Sequence, residues 1–144
     1  MSLILKQLEA ILDRDLPLVT NLSNASAVLN TLGNLNWCGF YLLEKETLYL
    51  GPFQGDPACT KIPVGKGVCG TAVKEQRTMV VPNVDEFPGH IACSSLSKSE
   101  IVIPIRKDGH IIGVLDIDSP VFSRFSDEDV ALLESAVNII ERVI

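Results

Sequence analysis

The stretch Ser99-Glu100-Ile101-Val102-Ile103-Pro104-Ile105-Arg106-Lys107-Asp108-Gly109-His110-Ile111-Ile112-Gly113-Val114-Leu115-Asp116-Ile117-Asp118 decides the fold. Two β-branched, apolar runs, Ile101 to Arg106 and Ile111 to Asp118, meet at Lys107-Asp108-Gly109, which is the signature of an antiparallel hairpin. The turn can be read in two ways. A three-residue loop, with a type I turn and Gly109 in the left-handed region, pairs Arg106 with His110. It sets Glu100 opposite Asp116, with Asp118 on the same face because strand side chains alternate. A two-residue Asp108-Gly109 loop shifts the register by one and sends Glu100 to the other face. In the first reading three carboxylates share a patch. Like charges facing across strands destabilise a sheet, so such a patch implies a bound cation or a shared proton. In the second reading the acids simply face solvent. Turn chemistry alone leaves both open.

Outward from this hairpin, Trp37 to Leu43 and Thr47 to Pro52 read as two further strands turning at Lys45-Glu46. Residues 2–14 and 17–33 carry leucines at helical spacing, broken at Pro17 and stopped at Gly33-Asn34, which predicts a helical hairpin. Residues 53–66 have loop chemistry. Val68 to Gln76 reads as a short helix starting at Gly67, and Thr78 to Val81 as a short strand. Residues 82–99 form a long loop of the kind that usually carries function. Ser126 is the expected N-cap of a last helix, with Asp127, Glu128 and Asp129 at its positive end. Helices at both termini flanking a mostly antiparallel sheet define an α+β layered fold, and residues 1–144 fit one domain.

The net charge of −6 opposes binding to nucleic acid or to an anionic membrane surface. No apolar run reaches the roughly 18 residues of a membrane span. The N-terminus lacks the basic and apolar regions of a signal peptide, so a cytoplasmic location is expected. There, four cysteines read as redox or metal chemistry before scaffold. Metal is the weaker reading: the closest thiol pair, Cys59 and Cys69, lies far outside zinc-ligand spacing, and His90 and His110 form no i, i+4 pair.

Cys59, Cys69 and Cys93 all sit in the least regular part of the chain, flanked by Gly, Pro or Ser, where a scaffold presents reactive groups. Cys69 falls at a helix start, whose dipole favours thiolate. Cys38, inside a strand, reads as a core residue. Trp37 and Tyr41 share one strand face and either wall a pocket or pack in the core. His90 either orients its loop or touches a substrate, and loop histidines are more often structural. Gly65, Gly67 and Gly70 read as turn formers, because no Lys-Ser/Thr follows at P-loop spacing.

The runs Asn36-Trp37-Cys38-Gly39-Phe40-Tyr41-Leu42, Ala58-Cys59, Ile62-Pro63-x-Gly65-x-Gly67-Val68-Cys69-Gly70, Val81-Pro82-Asn83-Val84, Phe87-Pro88-Gly89-His90-Ile91-Ala92-Cys93, Ser99-Glu100-Ile101-Val102-x-Pro104 and Gly113-Val114-Leu115-Asp116-Ile117-Asp118-Ser119-Pro120 occur in this order. Together they are similar to the free methionine-(R)-sulfoxide reductases, which are single GAF domains. The similarity runs from about Trp37 to Phe125, and the chain departs from the pattern at Ser94, a more often acidic position, and at Cys38, a commonly small apolar one.

The resemblance implies a GAF fold, with the terminal helices on one face of the sheet and a loop-covered pocket on the other. It implies reduction of free L-methionine-(R)-sulfoxide to methionine through a cysteine sulfenic acid and an intramolecular disulfide, with no bound cofactor and with thioredoxin as external reductant. By motif position Cys93 is the nucleophile and Cys59 and Cys69 are resolving cysteines. Glu100, Asp116 and Asp118 line the substrate site, with Trp37 and Tyr41 nearby, which favours the three-residue loop. The competing reading is a non-catalytic GAF sensor of a small ligand, which has no need of three loop cysteines. The apolar terminal helices are compatible with a homodimer.

Overall fold

The computed structural model describes residues 2–91, 93 and 95–144. Helices α1 (Leu3–Ile11) and α2 (Leu18–Leu29) form the expected hairpin, followed by β1 (Trp37–Glu44), β2 (Thr47–Gly55) and β3 (Lys61–Pro63). Then come α3 (Gly67–Glu75), β4 (Met79–Val81), β5 (Ser99–Lys107), β6 (His110–Ser119) and α4 (Asp127–Glu141). The strands form one sheet in the order β3-β2-β1-β6-β5-β4, and every described pairing is antiparallel. β3 lies within the segment expected to be loop. Its three residues bury Ile62 alone, too little to leave a period-2 pattern.

Helix boundaries follow the capping chemistry. The Ser2 hydroxyl accepts from Leu5 N–H and starts α1. Ser126 caps α4 as expected, in a reciprocal capping box with Asp129. Gly33 and Asn34, at φ 91° and 57°, turn the chain after α2.

The β5–β6 hairpin has the two-residue loop of the second reading and the shared carboxylate face of the first. The loop has two residues, with Lys107 opposite His110 and Asp108 and Gly109 at φ 53° and 81°, as a type I′ turn requires. The register then shifts once more: Arg106 faces Ile111, but Ile105 faces Gly113, leaving Ile112 as an extra, bulged residue. Glu100 therefore lies opposite Asp118, not Asp116, and Asp116 lies opposite Val102. The three carboxylates do share a face, through a tight turn plus a bulge rather than through a three-residue loop.

The sheet separates two cores. On one face Cys38, Phe40, Ile101, Ile103, Leu115 and Ile117 pack against Leu8, Leu22, Leu29, Leu133 and Ile140 of the terminal helices. Each such fully buried aliphatic side chain contributes about 1.5–3 kcal/mol. On the other face Trp37, Tyr41, Val102 and Val114 pack against Val68, Cys69, Ala72 and Val73 of α3. This second layer stops short of Glu100, Asp116 and Asp118, and a cavity opens there.

Candidate active site

The cavity has a volume of about 380 Å³, at the small end of small-molecule sites. Glu100 from β5 and Asp116 and Asp118 from β6 form its floor. Trp37 and Tyr41 from β1 and Cys69 from α3 form its walls, and His90 and Cys93 come from the long loop after β4. Seven of the eight predicted site residues thus line one cavity. The eighth, Cys59, closes it by a disulfide to Cys93, with Cα atoms 5.5 Å apart. Ala92 and Ser94, on either side of Cys93, lie outside the described residues.

The floor is electrostatically frustrated. Glu100 and Asp116 are each only 6% exposed, and Asp118 is half-buried. Burial raises all three carboxyls well above the ordinary range, and mutual repulsion adds to it: the charge of Asp118 acts on Glu100, that of Glu100 on Asp116, and that of Asp116 on Asp118. The cluster therefore keeps protons that separate carboxylates would lose. Ser97, hydrogen-bonded to Asp118, pulls that one group the other way. Asn36 in turn donates from Nδ2 to Ser97 Oγ at 3.1 Å. His90 Nε2 stands 3.7 Å from Glu100 Oε1, so this histidine faces the pocket.

The aromatic pair has two functions at once. Both rings are buried, stacked with centroids 5.8 Å apart, and line the cavity. Their polar ends hold the β2–β3 loop: Trp37 Nε1 donates to the Asp56 carbonyl at 3.1 Å and Tyr41 Oη to the Cys59 carbonyl at 2.9 Å. Cys59 is thus half-buried, on a loop tied to β1 through these two bonds. Gly39 makes this possible, since a Cβ there would lie 2.3 Å from Phe53 Cβ and 2.8 Å from the Trp37 ring. Gly70, read as a turn former, is helical and needed for close approach, with Pro63 O 2.5 Å from where a Cβ would sit.

Cys69 overturns the expectation of a dipole-stabilised thiolate. It lies in the first turn of α3, but burial and the charges of Asp116, Glu100 and Asp118 push its pKa well up. A helix end contributes about half a unit charge, and three nearby carboxylates outweigh it. Cys38 is a free thiol in the helix-face core, as expected. Asn36 and Ser97 escaped sequence reasoning. The adjacency of Asn36 to Trp37 at the start of β1 was the available signal, whereas Ser97 is one of several serines in its loop.

A family model described as "GAF domain" matches residues 17–144, and the chain belongs to the GAF-domain family. A protein named free methionine-R-sulfoxide reductase from Escherichia coli is 49% identical over 140 residues, 96% of this chain and 85% of that protein. The structure of reduced fRMsr of Staphylococcus aureus is 57% identical, with a TM-score of 0.95 over 98% of this chain and 92% of that one. That of free methionine-R-sulfoxide reductase from Neisseria meningitidis in complex with its substrate is 46% identical, with a TM-score of 0.92 over 97% and 85%. Within the GAF-domain family the chain is one of the free methionine-R-sulfoxide reductases.

Proposed function

We propose that this chain reduces free L-methionine-(R)-sulfoxide to L-methionine, using Cys93 as nucleophile and Cys59 as its resolving partner. The observation that carries this reading is the Cys59–Cys93 pair at the mouth of a cavity floored by three proton-retaining carboxyls. The substrate relatives are named for fits that floor, because an ionised carboxylate holds an ammonium group while a protonated neighbour serves as general acid.

The steps balance as follows. The Cys93 sulfur attacks the sulfoxide sulfur, a carboxyl of the floor protonates the departing oxygen, and oxygen passes to Cys93 as methionine leaves. The resulting sulfenic acid is attacked by the Cys59 thiol, which expels water and forms the disulfide. An external dithiol, thioredoxin in this reading, returns two electrons by exchange and regenerates both thiols. Trp37 and Tyr41 enclose the methyl end of the substrate. Cys69, buried and free, lines the pocket and resolves Cys93 only behind Cys59. No bound cofactor takes part.

Among the described residues no helix is long and apolar enough to cross a membrane. We assign the enzyme to the cytoplasm, where thioredoxin operates, and read exposed Leu3 and Val19 on the terminal helices as part of a homodimer contact. Sedimentation as a monomer would remove the dimer from this reading.

The test is NADPH oxidation coupled through thioredoxin reductase and thioredoxin. Free L-methionine-(R)-sulfoxide is expected to support turnover, and the S epimer and the N-acetylated sulfoxide are not. Equal turnover of the N-acetylated compound would contradict ammonium recognition by the carboxylates, and no turnover at all would contradict the reductase reading.

A further inference from the structure

We propose that Cys69, Glu100 and Asp116 form a binding site for a borderline-soft divalent cation, with Zn²⁺ the ion that fits it best. Zinc-ligand spacing is absent from the sequence because the three groups come from α3, β5 and β6 and meet only in the fold. One ligand atom from each lies within 4.8 Å of the other two, and all three residues are buried. A second observation points to an occupant. Asp116 Oδ1 is buried and has no hydrogen-bond partner among the described residues. Buried polar atoms are ordinarily satisfied; the Asp116 carboxyl meets the Cys69 thiol and the Glu100 carboxyl but leaves Oδ1 unmatched, and a metal ion held by the three groups relieves that deficit.

The donor set selects the ion. Ca²⁺ and Mg²⁺ take oxygen ligands in shells of six or more, whereas one sulfur and two oxygens suit Zn²⁺ with its four positions. Three protein ligands leave the fourth position open toward the cavity, as in zinc sites that keep a place for water or a small molecule. His90, 3.7 Å from Glu100 Oε1, stands where an outer partner would orient that carboxylate. Binding expels the thiol proton and whatever protons the two carboxyls carry, and the divalent ion offsets two of the three negative charges this leaves in the pocket. The ion would occupy the floor that the proposed function gives to the substrate's ammonium group. Zn²⁺ therefore inhibits reversibly and in competition with substrate, a consequence that rests on the reductase reading, while binding itself does not.

The test uses the full chain with the Cys59–Cys93 disulfide intact, so that neither of those sulfurs contributes. Zn²⁺ is titrated against a chromophoric chelator, and Co²⁺ is added as a spectroscopic substitute. One equivalent is expected to bind, with a thiolate-to-cobalt charge-transfer band in the near ultraviolet, and excess Mg²⁺ should not displace it. C69S should abolish the band, and C69S and D116N should each weaken Zn²⁺ binding by roughly tenfold or more, beyond the lower limit seen for outer partners. D116N keeps the test decisive if C69S does not fold. No stoichiometric binding, a band that survives in C69S, or equal affinity in both variants and the parent would overturn the proposal. None of these readouts uses turnover, so a failed site is distinguishable from a failed reductase assignment.

Discussion

Replacing Tyr41 by Phe separates the two functions assigned to this ring. The phenol is buried and its pKa pushed up by burial and by the nearby carboxylates, so it is a hydrogen-bond donor throughout the working pH range. It donates to the Cys59 carbonyl, 2.9 Å away. Phe keeps the ring that walls the cavity and stacks on Trp37. It removes the tie on the loop of Cys59, the proposed resolving cysteine. Cys59 is half-buried, so water can take over its carbonyl and no orphan penalty is added. The net loss is then that of one neutral hydrogen bond, about 1 kcal/mol, or about fivefold in the fraction of loops poised for attack. Methionine release in a single turnover should stay within about twofold of the parent, a smaller change than that of the tie itself. Disulfide formation, followed by loss of titratable thiol after mixing with substrate, should slow about fivefold. Equal slowing of both steps, or of neither, would refute the idea that Tyr41 acts through the Cys59 loop.

Two further predictions concern the thiols and the carboxyls. Cys93→Ser should release no methionine even in a single turnover, while Cys59→Ser should release one equivalent and then fail to be recycled by thioredoxin; quenched-flow quantification of methionine distinguishes them. The raised carboxyls make stability fall as pH rises. Folded protein retains protons that the unfolded chain gives up, so this contribution is complete below the ordinary carboxyl range and is lost as pH rises through the folded values of Glu100, Asp116 and Asp118. E100Q removes one titrating group and the repulsion it exerts, so its urea midpoint relative to the parent should climb between about pH 4 and pH 8. A difference that stays flat or shrinks over that interval would show that the cluster is not strained.

Much of this arrangement is legible from local chemistry. The turn residues at Lys45-Glu46 and Asp108-Gly109, the Ser126 capping box and the β-branched runs act over a few residues, and these elements fall where the pattern puts them. What depends on distant neighbours is not legible. β3 exists because β2 offers it an edge, and its three residues carry no periodicity of their own. The thiol at Cys69 looks activated when only its helix is considered and is suppressed once β5 and β6 bring their carboxyls beside it. Nor does loop spacing reveal that Cys93 meets Cys59 while Cys69 stays free, since both candidates lie on the N-terminal side of the same long loop. Cys38 and Cys69 show the same logic from opposite sides of the sheet: the strand and helix that carry them decide whether a thiol is packing material or part of a site.

The sharpest case is the bulge. A two-residue turn alone would place Glu100 opposite Ile117 and push a carboxyl into the helix-face core, because a shift of one residue exchanges the two faces of a strand. Ile112 prevents this by being surplus: Ile111 faces Arg106, Gly113 faces Ile105, and Ile112 is left without a partner in either neighbouring strand's described register. Deleting Ile112 should therefore leave the pairs Glu100–Asp118 and Ile105–Gly113 intact, although deletions inside a sheet are ordinarily ruinous. The cost should be the contact of one partly buried Ile side chain with the helix-face core, on the order of 1 kcal/mol, below the 1.5–3 of full burial. Deleting Val114 instead moves Ile112 into the place of Gly113, where a Cβ would lie 2.4 Å from the Tyr41 carbonyl, and sets Gly113 in place of a fully buried Val. That variant should lose several times as much, by analogy with the 2–5 kcal/mol of large-to-small core changes. Chemical denaturation of the two deletions gives the comparison directly. If removal of Ile112 costs as much as removal of Val114, the bulge is not surplus, and the parity that gathers Glu100, Asp116 and Asp118 is held by something other than the hairpin.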